Sequence, residues 1–470
     1  MSKPYRAKRP ADPARLLAVR VLLQVEEEGA FANLALPRAL RAEQQSNPKF
    51  DFRDAAFASE LVYGTLRWRG YLDQVLAQFS SRPLTELEPV VWQLLRVGAY
   101  QLLFMRVPDH AAVAATVDAA RELTTDGPVR MVNAILRSIT RADDIDQIFA
   151  EIPDQDDRLA ARYSHPVWMV RSFRRALEAR GLPESELVPA LAANNSIPKV
   201  NLVARPGLIA AQELAQEAEE ILQRPTSQGQ LSEYAVILDG GDPAALPAVR
   251  EGRAAVQDEG SQLAALLLAA APLTGSDRHW LDLCAGPGGK SALLGAVGAE
   301  RGVDLVANEI SAHRARLVEK SVRALANVTV TNLDGRTLPA PSGYRYDRVL
   351  IDAPCSGLGS LRRRPESRWR HQPEELAELV PLQRGLLQRG WELTRTGGVI
   401  AWVTCTPQVE ETLEIVSWAL EQGQVETIDT AATARILTPI ELEPGPNQTL
   451  QLWPHRHGTD AMFVALLRKK

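Results

Sequence analysis

The feature that most constrains this chain is a rhythm of short apolar runs, turns and amphipathic stretches that sets in near residue 279. Residues 280–284, 305–308, 328–332, 348–352 and 399–404 are short and apolar, bounded by turn formers. Stretches at 290–297, 312–325 and 373–393 separate most of them and carry apolar residues at helical spacing. Such alternation predicts a Rossmann-like α/β domain, a mostly parallel sheet covered on both faces. Residues 462–467 are expected to add a last strand. Ligands of such sheets bind beyond the carboxyl ends of the strands, so chemistry is to be sought there.

Upstream the pattern changes. Residues 14–28, 54–67, 71–79, 88–104, 111–123 and 129–140 read as successive helices, several of them separated by Arg82-Pro83, Val107-Pro108 and Asp126-Gly127-Pro128. A helix opening near Pro166, and strands entered at 194–203 and at 234–238, suggest a small α+β region. With 470 residues, three domains are expected: an all-helical one at 1–142, an α+β one at 143–255 and the α/β one at 256–470.

Composition narrows the function. The chain is 45% apolar and 24% charged, and no apolar run approaches the roughly 18 residues that span a bilayer, so no membrane partner is expected. Residues 1–10 are basic but lack the apolar core of a signal peptide. The three cysteines include no Cys-x-x-Cys pair, which argues against a disulfide framework and against a structural metal site. The expected setting is the reducing cytoplasm. A net charge of −5 does not advertise nucleic acid, but two basic clusters stand out. Lys3, Arg6, Lys8, Arg9, Arg15 and Arg20 read as a solvated face. Arg362, Arg363, Arg364, Arg368 and Arg370 follow a thiol at Cys355 and read as phosphate binders.

The segment Cys284-Ala285-Gly286-Pro287-Gly288-Gly289-Lys290 closes the first strand of the α/β domain and opens a helix. Glycines let a backbone approach a ligand, and a helix N-terminus favours a negative group. Gly289-Lys290-Ser291 resembles the end of a phosphate-binding loop, with Asp352 as a magnesium-type aspartate, but Cys284 stands where that loop needs its first glycine. The competing reading is a nucleoside cofactor. Glu309 ends the second strand, where a ribose diol is held, Asp334 follows the third, where it could hydrogen-bond the adenine, and Asp352 follows the fourth. Acids at successive strand ends suit a cationic cofactor such as S-adenosylmethionine better than a polyphosphate.

The thiols define the reaction class. Cys284 reads as a small core hydrophobe, whereas Cys355, before Ser356-Gly357, and Cys405, before Thr406-Pro407, open onto the sheet edge. C5 of a pyrimidine is a poor nucleophile. A thiolate added at C6 makes C5 an enamine carbon able to attack a methyl sulfonium, which is covalent catalysis.

The motifs Cys284 to Lys290, Asp352-Ala353-Pro354-Cys355-Ser356-Gly357, Arg363-Arg364-Pro365-Glu366 and Thr404-Cys405 together resemble the Nop/Sun family of RNA cytosine-C5 methyltransferases. Glu60 to Arg67 and Val132 to Arg137 resemble the NusB-like domain fused to the bacterial RsmB (Fmu) branch. Gln257-Asp258-Glu259-Gly260 and Trp453 to Asp460 are similar to that branch as well. The resemblance implies methylation of RNA, small-subunit ribosomal RNA above all, by a monomer using S-adenosylmethionine. It implies Cys405 as nucleophile, Cys355 as the group that assists adduct breakdown, and residues 284–290, Glu309, Asp334 and Asp352 around the cofactor. Lys290 and Asp352 would also lie beside the target base. Residues alone do not rank Cys405 above Cys355; the resemblance does. Two departures fall in the cofactor site, Gly286 for the usual Ala and Glu309 for the usual Asp, and a third, Ala461-Met462-Phe463, in the closing strand. The rival readings are a non-catalytic RNA-binding adaptor, a P-loop ATPase and a methyltransferase acting on transfer RNA.

Overall fold

The computed structural model describes residues 11–470, so Lys3, Arg6, Lys8 and Arg9 lie outside the described residues. The chain divides into two compact units, residues 11–171 with Leu361–Arg370, and Ser172–Ser360 with His371–Lys470. The first unit ends inside the helix Val167–Glu178, so the region expected at 143–255 is divided, with 143–171 in the first unit and 172–255 in the same unit as the α/β domain.

The first unit is helical. Pro13–Glu27, Phe52–Arg67, Arg69–Phe79, Pro89–Phe104, Asp109–Leu123 and Asp126–Ile139 match the six expected helices to within three residues. Asp12 caps the first, and Asp51 with Asp54 forms a capping box on Phe52–Arg67. Ala32–Ser46 is a further helix, hidden in the sequence by the internal Pro37. Leu17, Leu22, Leu61, Leu72, Leu94 and Leu136 share one core.

Residues 361–370 are folded into this unit, which corrects one expectation. Arg368 is fully buried and donates through Nη1 to the carbonyls of Arg67 (3.0 Å) and Ser164 (2.9 Å). Arg67 ends a helix, where carbonyls lack intrahelical donors, so Arg368 serves as a C-terminal cap. Arg370 donates to the carbonyls of Val25 and Ala30 and lies over the Phe31 ring, and Glu366 accepts from the amide of Ala32 at 3.1 Å. Arg362 is also buried. Arg362 and Arg368 are therefore buried rather than surface phosphate contacts, and the Arg368 guanidinium is spent on carbonyls inside the unit. Arg363 is half-buried and Arg364 exposed.

The second unit holds two sheets. The smaller comprises β1 (Val200–Ala204), β2 (Thr226–Gln228), β3 (Ala235–Leu238) and β4 (Ala254–Val256), in the order β2-β3-β1-β4 and antiparallel throughout. The larger comprises β5 (His279–Asp282), β6 (Asp304–Asn308), β7 (Val328–Thr331), β8 (Tyr346–Asp352), β9 (Thr394–Thr404), β10 (Val425–Ile428), β11 (Leu450–Gln451) and β12 (Phe463–Lys469). Its order is β10-β12-β9-β8-β5-β6-β7, with β11 beside β12. Strands β5 to β9 run parallel, and β12 enters antiparallel between β9 and β10. The strand order reverses direction at β5, so a crevice opens beyond the carboxyl ends of β5 and β8. The helix Glu259–Ala270 is buried along almost its whole length, and Leu263, Leu267, Trp280, Leu293, Val399, Val403 and Leu466 form one core with it.

Replacing Arg368 by Met should destabilise the helical unit by about 2–4 kcal/mol, since two buried carbonyls lose their donor. The thermal midpoint checks this. Arg364→Ala, at an exposed position, should leave the midpoint unchanged.

Candidate functional site

The loop after β5 is sewn to both neighbouring strands. The amide of Leu283 donates to Leu350 of β8 at 2.9 Å, and that of Ala285 donates to Asn308 of β6 at 2.8 Å. Gly288 precedes the helix Gly289–Ala299 with φ +107°, and a Cβ there would come within 2.9 Å of the Val318 Cα, so only glycine fits. The resulting helix N-terminus points into the crevice, and Gln257 lies beside it. Gln257 is buried, its Nε2 donates to Ser261 at 3.2 Å, and its Oε1 has no partner among the described residues.

Gly286 and Glu309 explain one another. Glu309 is buried, and its carboxylate accepts from the amides of Gly286 (3.0 Å) and Ser311 (2.9 Å). A Cβ on residue 286 would overlap that carboxylate. The longer acid therefore requires the smaller loop residue. Arg314 completes the group, with Nε 3.6 Å from Glu309 Oε2 and a hydrogen bond to the Gly286 carbonyl.

Asp352 ends β8 and receives the Lys290 ammonium at 2.8 Å. Burial lowers the affinity of Lys290 for its proton, but Asp352, Cys405 and Asp282 outweigh it, and the net shift is upward. Lys290 is held as a cation. Asp282 is fully buried, and burial pushes its carboxyl up to about 7 against the hydrogen bond from Ser291 Oγ at 2.6 Å. Ser291 is buried too, with its hydroxyl turned onto Asp282, the reverse of what a metal-nucleotide loop needs. Asp334 follows β7, but its carboxylate faces Arg336 at 2.6 Å and accepts from that residue's amide.

The thiols meet at the same edge. Cys355 and Cys405 are half-buried, with Sγ atoms 3.4 Å apart. Gly359 donates to the Cys405 carbonyl at 2.8 Å and accepts from Ala461 at 2.9 Å, so the departure at Ala461 lies against a glycine. Phe463 pairs with Thr404, keeping β12 in register beside Cys405. The hydrogen bond with Cys405, burial and the charges of Cys405 and Glu411 push the Cys355 thiol well up. Cys284 is also pushed well up, by burial and then by Asp282, Asp352 and Glu309, and stays a neutral thiol.

A family model for 16S rRNA methyltransferase RsmB/F matches residues 269–468, and a NusB family model matches residues 12–141. A Mycobacterium tuberculosis chain with a provisional methyltransferase name, Rv1407, is 45% identical over 98% of both chains. Ribosomal RNA small subunit methyltransferase B of Shewanella oneidensis is 30% identical, covering 97% of this chain and 99% of its own. The chain belongs to the RsmB/F family. Among solved structures, PH0851 superposes with a TM-score of 0.78 at 21% identity over 98% of this chain and all of its own, a likeness of fold. NSun6 from Pyrococcus horikoshii with SFG gives 0.53 at 18% identity over 64% of this chain and 98% of its own.

In this RsmB/F chain, Cys284 to Lys290, Glu309, Asp352, Cys355 and Cys405 converge on one strand edge; Asp334 stands at the same edge with its charge engaged by Arg336. Sequence reasoning assigned no role to Gln257, Arg314 or Glu411. Gln257 lay within a quoted motif, but the other two make their contacts only in the fold.

Gly286→Ala should weaken binding of the nucleoside cofactor about tenfold, or ~1.4 kcal/mol, by displacing Glu309. Adding Glu309→Asp should recover most of it, as read by calorimetry with S-adenosylhomocysteine.

Proposed function

We propose that this chain methylates C5 of cytosine in small-subunit ribosomal RNA, using S-adenosylmethionine and a covalent bond between Cys405 and C6. The observation that carries the proposal is the thiol pair, 3.4 Å apart, beside the Lys290–Asp352 ion pair. A thiol at the edge of a methyltransferase sheet, with a cation to hold its thiolate, is what C5 chemistry requires and what methylation of an amine or hydroxyl does not. The choice of ribosomal RNA rests on the names of the full-length relatives.

The residues fit the cofactor. The glycine cradle closed to a Cβ at Gly288, the unpartnered Gln257 Oε1, and the acids Glu309 and Asp352 offer backbone approach, an acceptor and negative charge to an adenosyl sulfonium. Bound there, S-adenosylmethionine supplies the methyl group. Glu309 would hold the ribose diol, and Asp334 would reach the adenine by releasing Arg336.

Cys405 as thiolate adds to C6, and the electron pair moves toward C5. Lys290 is held charged beside it and stabilises that thiolate before attack. Asp352 keeps Lys290 in place and stands where the base enters. After methylation a base takes the C5 proton, the C5–C6 double bond reforms and the Cys405–C6 bond breaks. Cys355 attends the departing sulfur. Cytosine reaches such a site single-stranded or flipped out, with Arg363, Arg364 and the NusB-like unit holding flanking phosphates.

Cys405→Ala should reduce methyl transfer to background and form no adduct. Cys355→Ala should accumulate RNA-linked protein that survives denaturing electrophoresis. Full turnover by Cys405→Ala would refute the assignment of the nucleophile.

A further inference from the structure

Behind the two thiols lies a buried carboxylate that the mechanism above does not use. Glu411 is fully buried. Its Oε1 accepts from the Ser356 amide (2.9 Å) and Gln383 Nε2 (2.9 Å), and its Oε2 from the Ser356 hydroxyl and Gln408 Nε2 (3.2 Å). Burial pushes the Glu411 carboxyl up, while the Ser356 amide and the Gln383 and Gln408 side-chain amides, which can only donate to it, favour the anion.

The network joins the two cysteine loops. Ser356 follows Cys355, and its Oγ lies 3.0 Å from the hydroxyl of Thr406, which follows Cys405. Gln408 reaches the Ser356 hydroxyl at 3.0 Å, and Gln383 also donates to the Pro354 carbonyl at 2.9 Å. Glu411 binds the Cys355 loop through both the backbone and the hydroxyl of Ser356, and the Cys405 loop through the side chains of Gln408 and Thr406.

Charge is lopsided. Cys355 feels Cys405 and the negative Glu411, whereas Lys290 is paired with Asp352 and interacts with Cys405. Asp282 and Asp352 act on Lys290 and on Cys284. The pair thus has the buried Glu411 on one side and the Lys290–Asp352 ion pair on the other.

We propose that Glu411 is a positioning residue that makes the two thiols unequal, anchoring the Cys355 loop and setting a buried negative charge beside it, so that their shared proton resides on Cys355 and Cys405 is the thiolate. The inference deepens the covalent mechanism proposed above and rests on it for its meaning. Cys355 S–H then donates a hydrogen bond to the Cys405 sulfur before attack. It is in place again when the C6–S bond breaks and its electron pair returns to that sulfur. The rank order of the cysteines becomes a property of this chain's own charges.

The test is the pH dependence of Cys355 alkylation by iodoacetamide in the full-length Cys405→Ala chain, followed by mass spectrometry of the Cys355 peptide. The midpoint should lie above about 8.5, the value of an ordinary thiol. Adding Glu411→Gln, whose carbonyl keeps the Ser356 amide and Gln383 and whose amide nitrogen the Ser356 hydroxyl and a flipped Gln408 can accept, should lower the midpoint by about one pH unit. Alkylation at pH 8 should rise roughly tenfold. A purely structural Glu411 would not move the midpoint of a folded variant. A midpoint at or below the ordinary value in Cys405→Ala, or no change in folded Glu411→Gln, would overturn the proposal. The first measurement needs no Glu411 variant to fold. Alkylation needs neither RNA nor methyl donor, so its failure would leave the cytosine chemistry standing, and a missing RNA adduct would leave the thiol assignment standing.

Discussion

The parallel pairing of β8 with β9 is the constraint on which the site depends. Leu350 lies opposite Ala401, Ile351 opposite Trp402 and Asp352 opposite Val403. Leu350, Ile351, Ala401, Trp402 and Val403 are all fully buried, so both faces of the pair are fixed by packing. A one-residue slip would turn each side chain to the opposite face and separate the thiols. With the register held, Asp352, Cys355 and Cys405 follow within a few residues of the same edge. The Ala353 amide then bonds the Val403 carbonyl at 2.9 Å, continuing the ladder past the last strand residue.

On that edge, charge does what packing cannot. Acids stand after β5, β6, β7 and β8, and Lys290 is the cation drawn into their midst. Its pairing with Asp352 keeps it charged despite burial. Glu309 and Gly286 show how tightly the cofactor side is built, because lengthening one side chain demands the removal of another. Ser291, turned onto Asp282, closes the same loop to metal-nucleotide chemistry.

Much of this was legible in the linear chain because the α/β rhythm has strong local signals. The ends of β6, β8 and β9 fell where the apolar runs stopped, while β5 ended at Asp282, two residues before the expected Cys284, and the cofactor loop and thiols followed from these strand ends. What escaped depends on partners far apart. Arg368 reads as surface charge, yet its acceptors are 301 and 204 residues away. Glu411 sits in an acidic run that resembles a solvated helix start, and its chief donor, Ser356, is 55 residues upstream. Strands β2, β4, β10 and β11 span two to four residues, too short for periodicity to register. The departures at Gly286 and Glu309 were visible singly, but their dependence on each other needs the contact between them.

In the proposed mechanism the Cys405 sulfur, and not that of Cys355, bonds to the pyrimidine. A small-subunit ribosomal RNA substrate containing 5-fluorocytosine tests it most directly, because fluorine at C5 blocks proton loss and traps the adduct. After incubation with S-adenosylmethionine and proteolysis, mass spectrometry should place the methylated fluoropyrimidine on the peptide carrying Cys405. A crosslink at Cys355, or complete absence of a covalent complex, would contradict the account.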